Sequence, residues 1–520
     1  MLSASSSYGR PGKLAPDLPE GTAEFDVIVS YSKPPSATHA NRILAKGGRM
    51  KARFENSKSA AITIRGSALA DLAADPDVVY IAPDRPLWGE LDVSRSSIGA
   101  FTAQSYGWTG AGIGVAIIDS GTPAHADLQS RVVYSESFVP GTPAADVWGH
   151  GSHVAGIVAG GGVKSATYKG IAPGAHLVIL KALGDNGAGK DSWVIAAINR
   201  AIQLKSTYNI RVLNLSLGRP VRESYLTDPL CKAVEAAWKA GIFVVTSAGN
   251  QGRNNSAGTS GYGTITSPGN HPIVITVGAV KTLGTASTAD DAVASYSSKG
   301  PTLFDQVVKP DLVAPGNRVV SLDLGGKKAS ALVQDHKALR VDNEYMRLSG
   351  TSMAAPMVTG AAVLLLHKNP GFSPDRVKAV LMRTASKSFA PSVTATDPRT
   401  GVVYTVRHDL FTIGSGSLNI WAALNDTSVF LSTQTALSPS ATLDASTNVA
   451  SLVYAANVVW GSNVLWGSNV IWGSNVVWGT NVIWGDTVLW GDTVLWGDTA
   501  IWAQSAMATE ATELTVTGEN

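Results

Sequence analysis

Cysteine is almost missing. The chain of 520 residues holds one, Cys231, which excludes an internal disulfide and a cysteine-clustered metal site. Charge is scarce too: Asp, Glu, Lys and Arg make up 15% of the residues, against a usual ~25%. The signs balance, with 41 basic and 39 acidic residues and a net charge of +2, so nothing electrostatic points to a nucleic-acid or anionic-membrane partner. No apolar run approaches the ~18 residues of a membrane helix; the strongest, Ala361 to Leu366, is far shorter. The first residues are polar to about Thr22, without the apolar stretch of ~7–15 residues that a secretory signal needs. Apolar residues themselves are abundant. They form 44% of the chain, enough for a large core, and the length suits about three or four domains or one large domain with appendages.

Residues 24 to 83 predict a small α+β unit. Phe25 to Tyr31 is strand-like, Ala37 to Lys46 a helix stopped by Gly47-Gly48, and two extended runs follow around Met50 to Phe54 and Ala60 to Ile64. A short helix over Ser67 to Ala74, with Ser67 as its cap, and a strand over Val78 to Ile81 complete the order βαββαβ. From Ile113 to Asn425 short β-branched runs alternate with helices: Gly114–Ile118, Leu177–Leu180, Val212–Leu215, Ile242–Val245 and Ile273–Val277. Nearly continuous apolar strands separated by helices predict an α/β fold, a parallel sheet covered on both faces. Such sheets gather functional groups at the carboxyl ends of their strands. The expected division is a disordered segment 1–23, the small unit 24–88, the main domain 89–426, a linker 427–456, a repeat 457–502 and a tail 503–520.

The repeat is a hexad. Tryptophan recurs from Trp460 to Trp502 at every sixth residue, as in Asn463-Val464-Leu465-Trp466-Gly467-Ser468. Six helical residues rotate by about 600° and scatter the rings, whereas an even period keeps them on one face of a strand. The repeat is therefore expected to be β. It reads either as a structural appendage stacking its own rings or as a platform gripping polysaccharide, a cell surface or a partner.

Four segments put chemistry at strand ends or helix starts. Ala116 to Gly121 places Asp119 just after a buried strand, and Gly149 to Gly156 places His150 at the head of a helix. Thr246-Ser247-Ala248-Gly249-Asn250 ends a strand in an amide, and Ser349 to Pro356 sets Ser352 at the start of an apolar helix. Singly, each has an ordinary explanation: Asp119 and Asn250 as turn residues, Ser352 as a helix-start serine. His150 and His153 have the spacing of a metal pair but lack a third ligand, and His153 is better read as structural. Together they supply what acyl transfer needs: a nucleophilic hydroxyl, an imidazole base, a carboxylate that orients it, and oxyanion donors.

The order Asp119, His150, Ser352 in these motifs resembles the subtilisin-like serine protease family. The likeness spans about Ile113 to Ala423 and includes Ser216-Leu217-Gly218, Lys309 to Gly316 and Gly416 to Asn419. It implies a catalytic triad of Asp119, His150 and Ser352, with Asn250 completing the oxyanion hole. It also implies a substrate cleft lined by Ser216, Leu217, Gly218, Ser247, Ala248 and Gly249. Substrates would be proteins or peptides, the chemistry would need no cofactor, and the location would be secreted or cell-surface. Residues 24–88 would be an inhibitor-type propeptide that also assists folding, with self-cleavage within 84–95. The small, uncharged cleft segments, with neutral Gln251 beside them, suggest an apolar or aromatic residue before the cut bond. The contrasting reading is a non-catalytic surface-binding protein on a degenerate protease fold, against which the intact triad argues. Departures are visible: Asp119-Ser120-Gly121 stands for the usual Asp-Thr-Gly, and the loop Thr122 to Leu128 is about a residue short. The loop Gly160 to Ser165 lacks the Asn-rich stretch that holds structural calcium in many relatives. Asp127 is retained, but Lys164 opposes a cation, so structural calcium stays open, its usual loop is not evident and no metal site is assigned. Some thirty residues between Gly316 and Met346 read as a surface insertion.

Overall fold

Side-chain alternation builds the first unit of the computed structural model, which describes residues 13–15, 18, 21–84, 86–89, 96–283, 290–326, 328–397, 400–428, 435–444, 449–453, 475–478 and 482–485. β1 (Glu24–Tyr31), α1 (Ala37–Ala45), β2 (Arg49–Phe54), β3 (Ser59–Arg65), α2 (Leu69–Ala73) and β4 (Val78–Pro83) follow the order βαββαβ. The strands pair antiparallel in the order β2-β3-β1-β4. Along β1, Val27, Val29 and Tyr31 enter the unit's own core, while Ile28 joins Phe54 and Ala61 in the core of the larger domain. One helix start differs from expectation. A 3₁₀ turn over Gly66–Ala68 precedes α2, and Ser67 lies inside it as no cap, its N–H bonded to the Gly21 carbonyl at 2.8 Å.

β5 (Pro86–Gly89) and α3 (Ala100–Ser105) lead into the main domain. There follow β6 (Gly114–Asp119), β7 (Val132–Ser137), α4 (His150–Ala159), β8 (His176–Lys181), β9 (Ala188–Lys190), α5 (Asp191–Leu204), β10 (Ile210–Leu215) and β11 (Leu217–Gly218). Next come α6 (Pro229–Lys239), β12 (Phe243–Ser247), β13 (Ile275–Lys281), β14 (Ala292–Val293), β15 (Leu312–Pro315), β16 (Val319–Leu322), α7 (Ala331–Asp335) and β17 (Tyr345–Leu348). The last elements are α8 (Thr351–Lys368), α9 (Pro374–Thr384), β18 (Ser392–Thr396), β19 (Val403–Arg407), α10 (Ile420–Leu424), β20 (Ser440–Asp444), β21 (Val449–Val453), β22 (Asn475–Trp478) and β23 (Val482–Gly485).

The central sheet runs β14-β13-β12-β10-β6-β8-β7, with β15 also on β13, and every pair is parallel except β13–β14. The five apolar runs are β6, β8, β10, β12 and β13. β7 escapes sequence reading because it is an edge strand of half-buried and exposed residues, and β15 because it is short. α4 packs on α8 and α5 on α6, while α4 and α5 both touch β6, so helices cover both faces. No helix among the described residues is long and apolar enough to cross a membrane.

Two sequence expectations are corrected. The presumed surface insertion is built into the domain: β16 and β17 pair antiparallel, and Leu332, Val333 and Leu339 are buried. It backs the start of α4, since Ala331 N–H donates to the Val147 carbonyl at 2.9 Å and Ser321 Oγ to the His153 carbonyl at 2.9 Å. The presumed linker is partly docked. Ser438 N–H donates to Pro272, Val308 N–H to Pro439 and Ala441 N–H to Gln306, at 3.0, 2.8 and 2.7 Å. Of the tryptophan hexads, β22 and β23 are described and pair antiparallel; the others lie outside the described residues.

That docking centres on a buried charge. Asp311 accepts from Lys309 Nζ at 2.6 Å, from the Thr276 N–H at 2.7 Å and from the Ser438 hydroxyl, with Lys378 Nζ at 3.3 Å. Burial pulls Lys309 down to about 7 although Asp311 opposes the shift. Removing the carboxylate leaves two buried ammonium groups without it. Asp311→Ala is expected to destabilise the domain by about 3–5 kcal/mol, read as a fall in denaturant midpoint; a midpoint unchanged within error contradicts this.

Candidate active site

Register brings a carboxylate to the cleft wall. β6 and β10 are parallel neighbours with Ile118 opposite Leu215, so Asp119 and Ser216 leave the sheet side by side, about 5 Å apart between backbones. Asp119 is buried, and its Oδ1 accepts from the Ser120 N–H and from His150 Nδ1, both at 2.7 Å. A carboxylate only accepts, so a proton sits on Nδ1.

His150 opens α4, and that helix start is held firmly. Gly151 N–H donates to Ser120 Oγ at 2.9 Å. The buried Asp146 carboxylate accepts from Ser120 Oγ, Gly149 N–H and Ser152 N–H, each at 2.9 Å, and from the Ser152 hydroxyl. Burial pushes the Asp146 carboxyl upward, and those donors pull it back. A Cβ at position 151 would meet the Gly121 carbonyl at 2.2 Å, so glycine is what lets α4 come this close to the Asp119 turn. His153, one turn on, is fully buried and bonds the Val319 carbonyl at 3.2 Å. Burial and nearby His150 push it down to about 3, which keeps it neutral and structural.

Ser352 is the second residue of α8, where the first N–H groups have no helical acceptor. Its Oγ donates to the Ser216 carbonyl at 3.1 Å, and Ser216 Oγ donates back to the Ser352 carbonyl at 2.7 Å. The second bond has a cause in the sequence. Pro356 has no N–H, so the carbonyl four residues earlier, that of Ser352, lacks its helical donor. Asn214 Nδ2 donates to Ser216 Oγ at 2.9 Å and Thr359 Oγ1 to Asn214 Oδ1 at 2.8 Å, extending a buried polar chain between β10 and α8.

Asn250 lies three residues beyond β12. Its Oδ1 accepts from the Thr351 N–H at 2.9 Å and the Thr351 hydroxyl at 3.1 Å, so the amide nitrogen is the end left to donate. Gly249 N–H donates to Thr351 Oγ1 at 3.1 Å, Ala248 is buried, and Ser247 Oγ donates to the Leu217 carbonyl at 3.4 Å. The chain itself fills the groove beside them. β5 lies between β9 and β11, antiparallel to both, with Trp88 opposite Ala188 and Gly218 and Gly89 opposite Leu217. Just ahead, Asp84 accepts from the Ser192 N–H at 2.5 Å and from the Ser192 hydroxyl at the start of α5.

The structure thus brings Asp119, His150, Ser352 and Asn250 to adjoining strand and helix ends, with Ser216–Gly218 and Ser247–Gly249 around them. A sequence profile of the subtilase family matches residues 110–416. The chain belongs to the subtilase family. It is a subtilisin-like serine endopeptidase. Serine protease AprX of Bacillus subtilis is 36% identical over 352 residues, 66% of this chain and 77% of that protein. Subtilisin E of the same organism is 34% identical over 377 residues, 71% and 87% of the two chains. Among solved structures, fervidolysin from Fervidobacterium pennivorans, described as a keratinolytic enzyme related to subtilisin, is similar with a TM-score of 0.59. It is 24% identical, and the match covers 81% of this chain and 63% of that one, a likeness of fold.

In this subtilase Ser120 takes the place of the family's threonine, and its hydroxyl makes both bonds at the head of α4; only a methyl is lost. Sequence reading missed Asp146, Asn214, Thr351 and the wall β9. Asn214 interrupts an apolar run, which is a usable signal. Ala188-Gly189-Lys190 carries none, because only its partner makes it a strand. The loop near Asp127 turns donors toward that residue. Its carboxylate accepts from Gly162 N–H at 3.1 Å, Lys164 N–H at 3.0 Å and the Tyr345 hydroxyl at 3.3 Å. Donors, rather than further oxygen lone pairs, surround it.

Ser216→Ala is expected to cost about 1–3 kcal/mol by stranding buried polar groups, and less in a Pro356→Ala background, where the helix regains its donor. Equal losses in both backgrounds, by denaturant melts, contradict the proline account. Asp127→Asn is expected to lower the melting temperature equally in calcium and in EDTA. A penalty present in calcium and absent in EDTA would mean that this carboxylate holds the metal.

Proposed function

We propose that Ser352 is the nucleophile, His150 the general base and acid, and Asp119 the group that orients His150. The observation that carries this reading is the 2.7 Å Asp119–His150 bond beside the Ser216 carbonyl that accepts the Ser352 hydroxyl. In this reading the hydroxyl leaves that carbonyl for the imidazole. Ser352 Oγ then bonds to the substrate carbonyl carbon while its proton passes to His150 Nε2. The oxyanion is met by the Asn250 amide and the Ser352 N–H at the helix start. Collapse expels the amine, protonated by His150, and leaves an acyl-enzyme; water, deprotonated by His150, releases the acid.

Residues 24–88 act as a propeptide in this reading, made as a self-processed zymogen that is exported to the medium or cell surface. Support comes from β5, which occupies the cleft as an extended middle strand, a known mode of peptide recognition. Gly89 stands opposite Leu217, one residue short of Ser216, so the strand runs toward Ser352 inside the expected window 84–95. The small uncharged walls suit an apolar or aromatic residue before the scissile bond in other substrates. The tryptophan hexads read as a β appendage, which the pairing of β22 with β23 supports.

A fluorophosphonate probe is expected to label the wild type but not Ser352→Ala, and intact-mass analysis should show a chain cut within 84–95 only in the wild type. A Ser352→Ala chain still cut within 84–95 without added protease would refute self-processing. Chromogenic peptides are expected to be cleaved fastest after Phe, Tyr or Leu; fastest cleavage after Lys or Asp overturns the preference.

A further inference from the structure

The cleft walls β9 and β11 are separated by β5 and so stand two inter-strand spacings apart, about 10 Å. The residues that follow each wall join them. β9 ends at Lys190, before Asp191, and β11 ends at Gly218, before Arg219. Arg219 Nε donates to both Asp191 oxygens, at 3.0 and 3.1 Å, and Nη2 donates to Asp228 Oδ1 at 2.8 Å. All three side chains are buried, at 1% exposure or less. Asp191 is the first residue of α5. Asp228 caps α6, accepting from Leu230 N–H at 2.9 Å, and also accepts from Ser267 Oγ at 2.8 Å. The guanidinium is therefore bolted to two helix starts, and it ties the residue that follows β11 to the residue that follows β9.

We propose that Arg219 and Asp191 form a staple that sets the cleft one strand wide, so that an extended substrate bonds to both walls at once. This rests on reading β9 and β11 as substrate walls. Main-chain hydrogen bonds fail within about 1 Å of stretch, so a middle strand gains both ladders only if the walls keep their spacing. A planar, always-charged fork fixes distance and angle together, which a lysine does not. Stability does not account for the pair, since buried ion pairs contribute little over apolar residues of similar shape. Arg219 is a positioning residue: it acts through the walls, not on the reacting atoms.

The test compares Arg219→Lys, Asp191→Asn and the double variant Arg219→Met/Asp191→Leu, which removes the staple and leaves Asp228 its Leu230 and Ser267 donors, with the wild type. Two substrates separate the roles: a tetrapeptide p-nitroanilide that spans both walls, and an N-acetyl-tyrosine ethyl ester that needs little beyond Ser352. Rates are normalised to sites titrated with fluorophosphonate. The expected result is a rise of about ten-fold in KM for the tetrapeptide, equivalent to about 1.4 kcal/mol, with ester kcat/KM within about two-fold. Equal losses on both substrates, or no change on either, overturn the staple. If single variants fail to fold, the double variant alone decides. A wild type that neither labels nor turns over the ester overturns the protease reading first, and the staple with it.

Discussion

The site depends on the exchange between Ser216 and Ser352. One hydroxyl donates to the other residue's carbonyl in each direction, tying the start of α8 to the end of β10. Pro356 creates the need by withholding a helical N–H, and Asn214 with Thr359 satisfies what the exchange leaves over. A polar chain buried this deeply tolerates only one arrangement, because each lost partner leaves a desolvated group. The helix that carries Ser352 is thus fixed in register against the central strand, and Asp119 is carried to the same place by the register of β6 on β10.

Around that pair, rigidity comes from helix starts. α4 begins against Ser120 and Asp146, α5 at Asp191 beside Asp84, and α6 on Asp228. Each has unpaired N–H groups that a carboxylate or hydroxyl fills, and each fixes a segment of the cleft. The small N-terminal unit uses the same device when Asp84 reaches the α5 start. Its sheet also buries Ile28, Phe54 and Ala61 against the larger domain, so docking combines apolar area with a polar lock.

Much of this was legible beforehand. The βαββαβ order followed from alternation and Gly or Pro stops, and the five central strands from apolar length. The candidate triad could be read because its residues sit in distinctive local strings at strand and helix ends. The segment 316–346 misled because its apolar residues are spaced irregularly, and their burial depends on packing behind α4. The stretch after 427 misled because Ser438 and Ala441 are small, and nothing local announces that Asp311 and Gln306 will hold them.

The sequence alone determined the candidate side chains and the alternation of strands and helices, since both are written in local spacing. Tertiary structure decided the rest: that β9 faces β11 across one strand, that Arg219 meets Asp191, and that donors close around Asp127. Those contacts join residues far apart along the chain. Local pattern constrains a residue's own dihedrals and exposed face, but not which distant partner will satisfy it once water is gone.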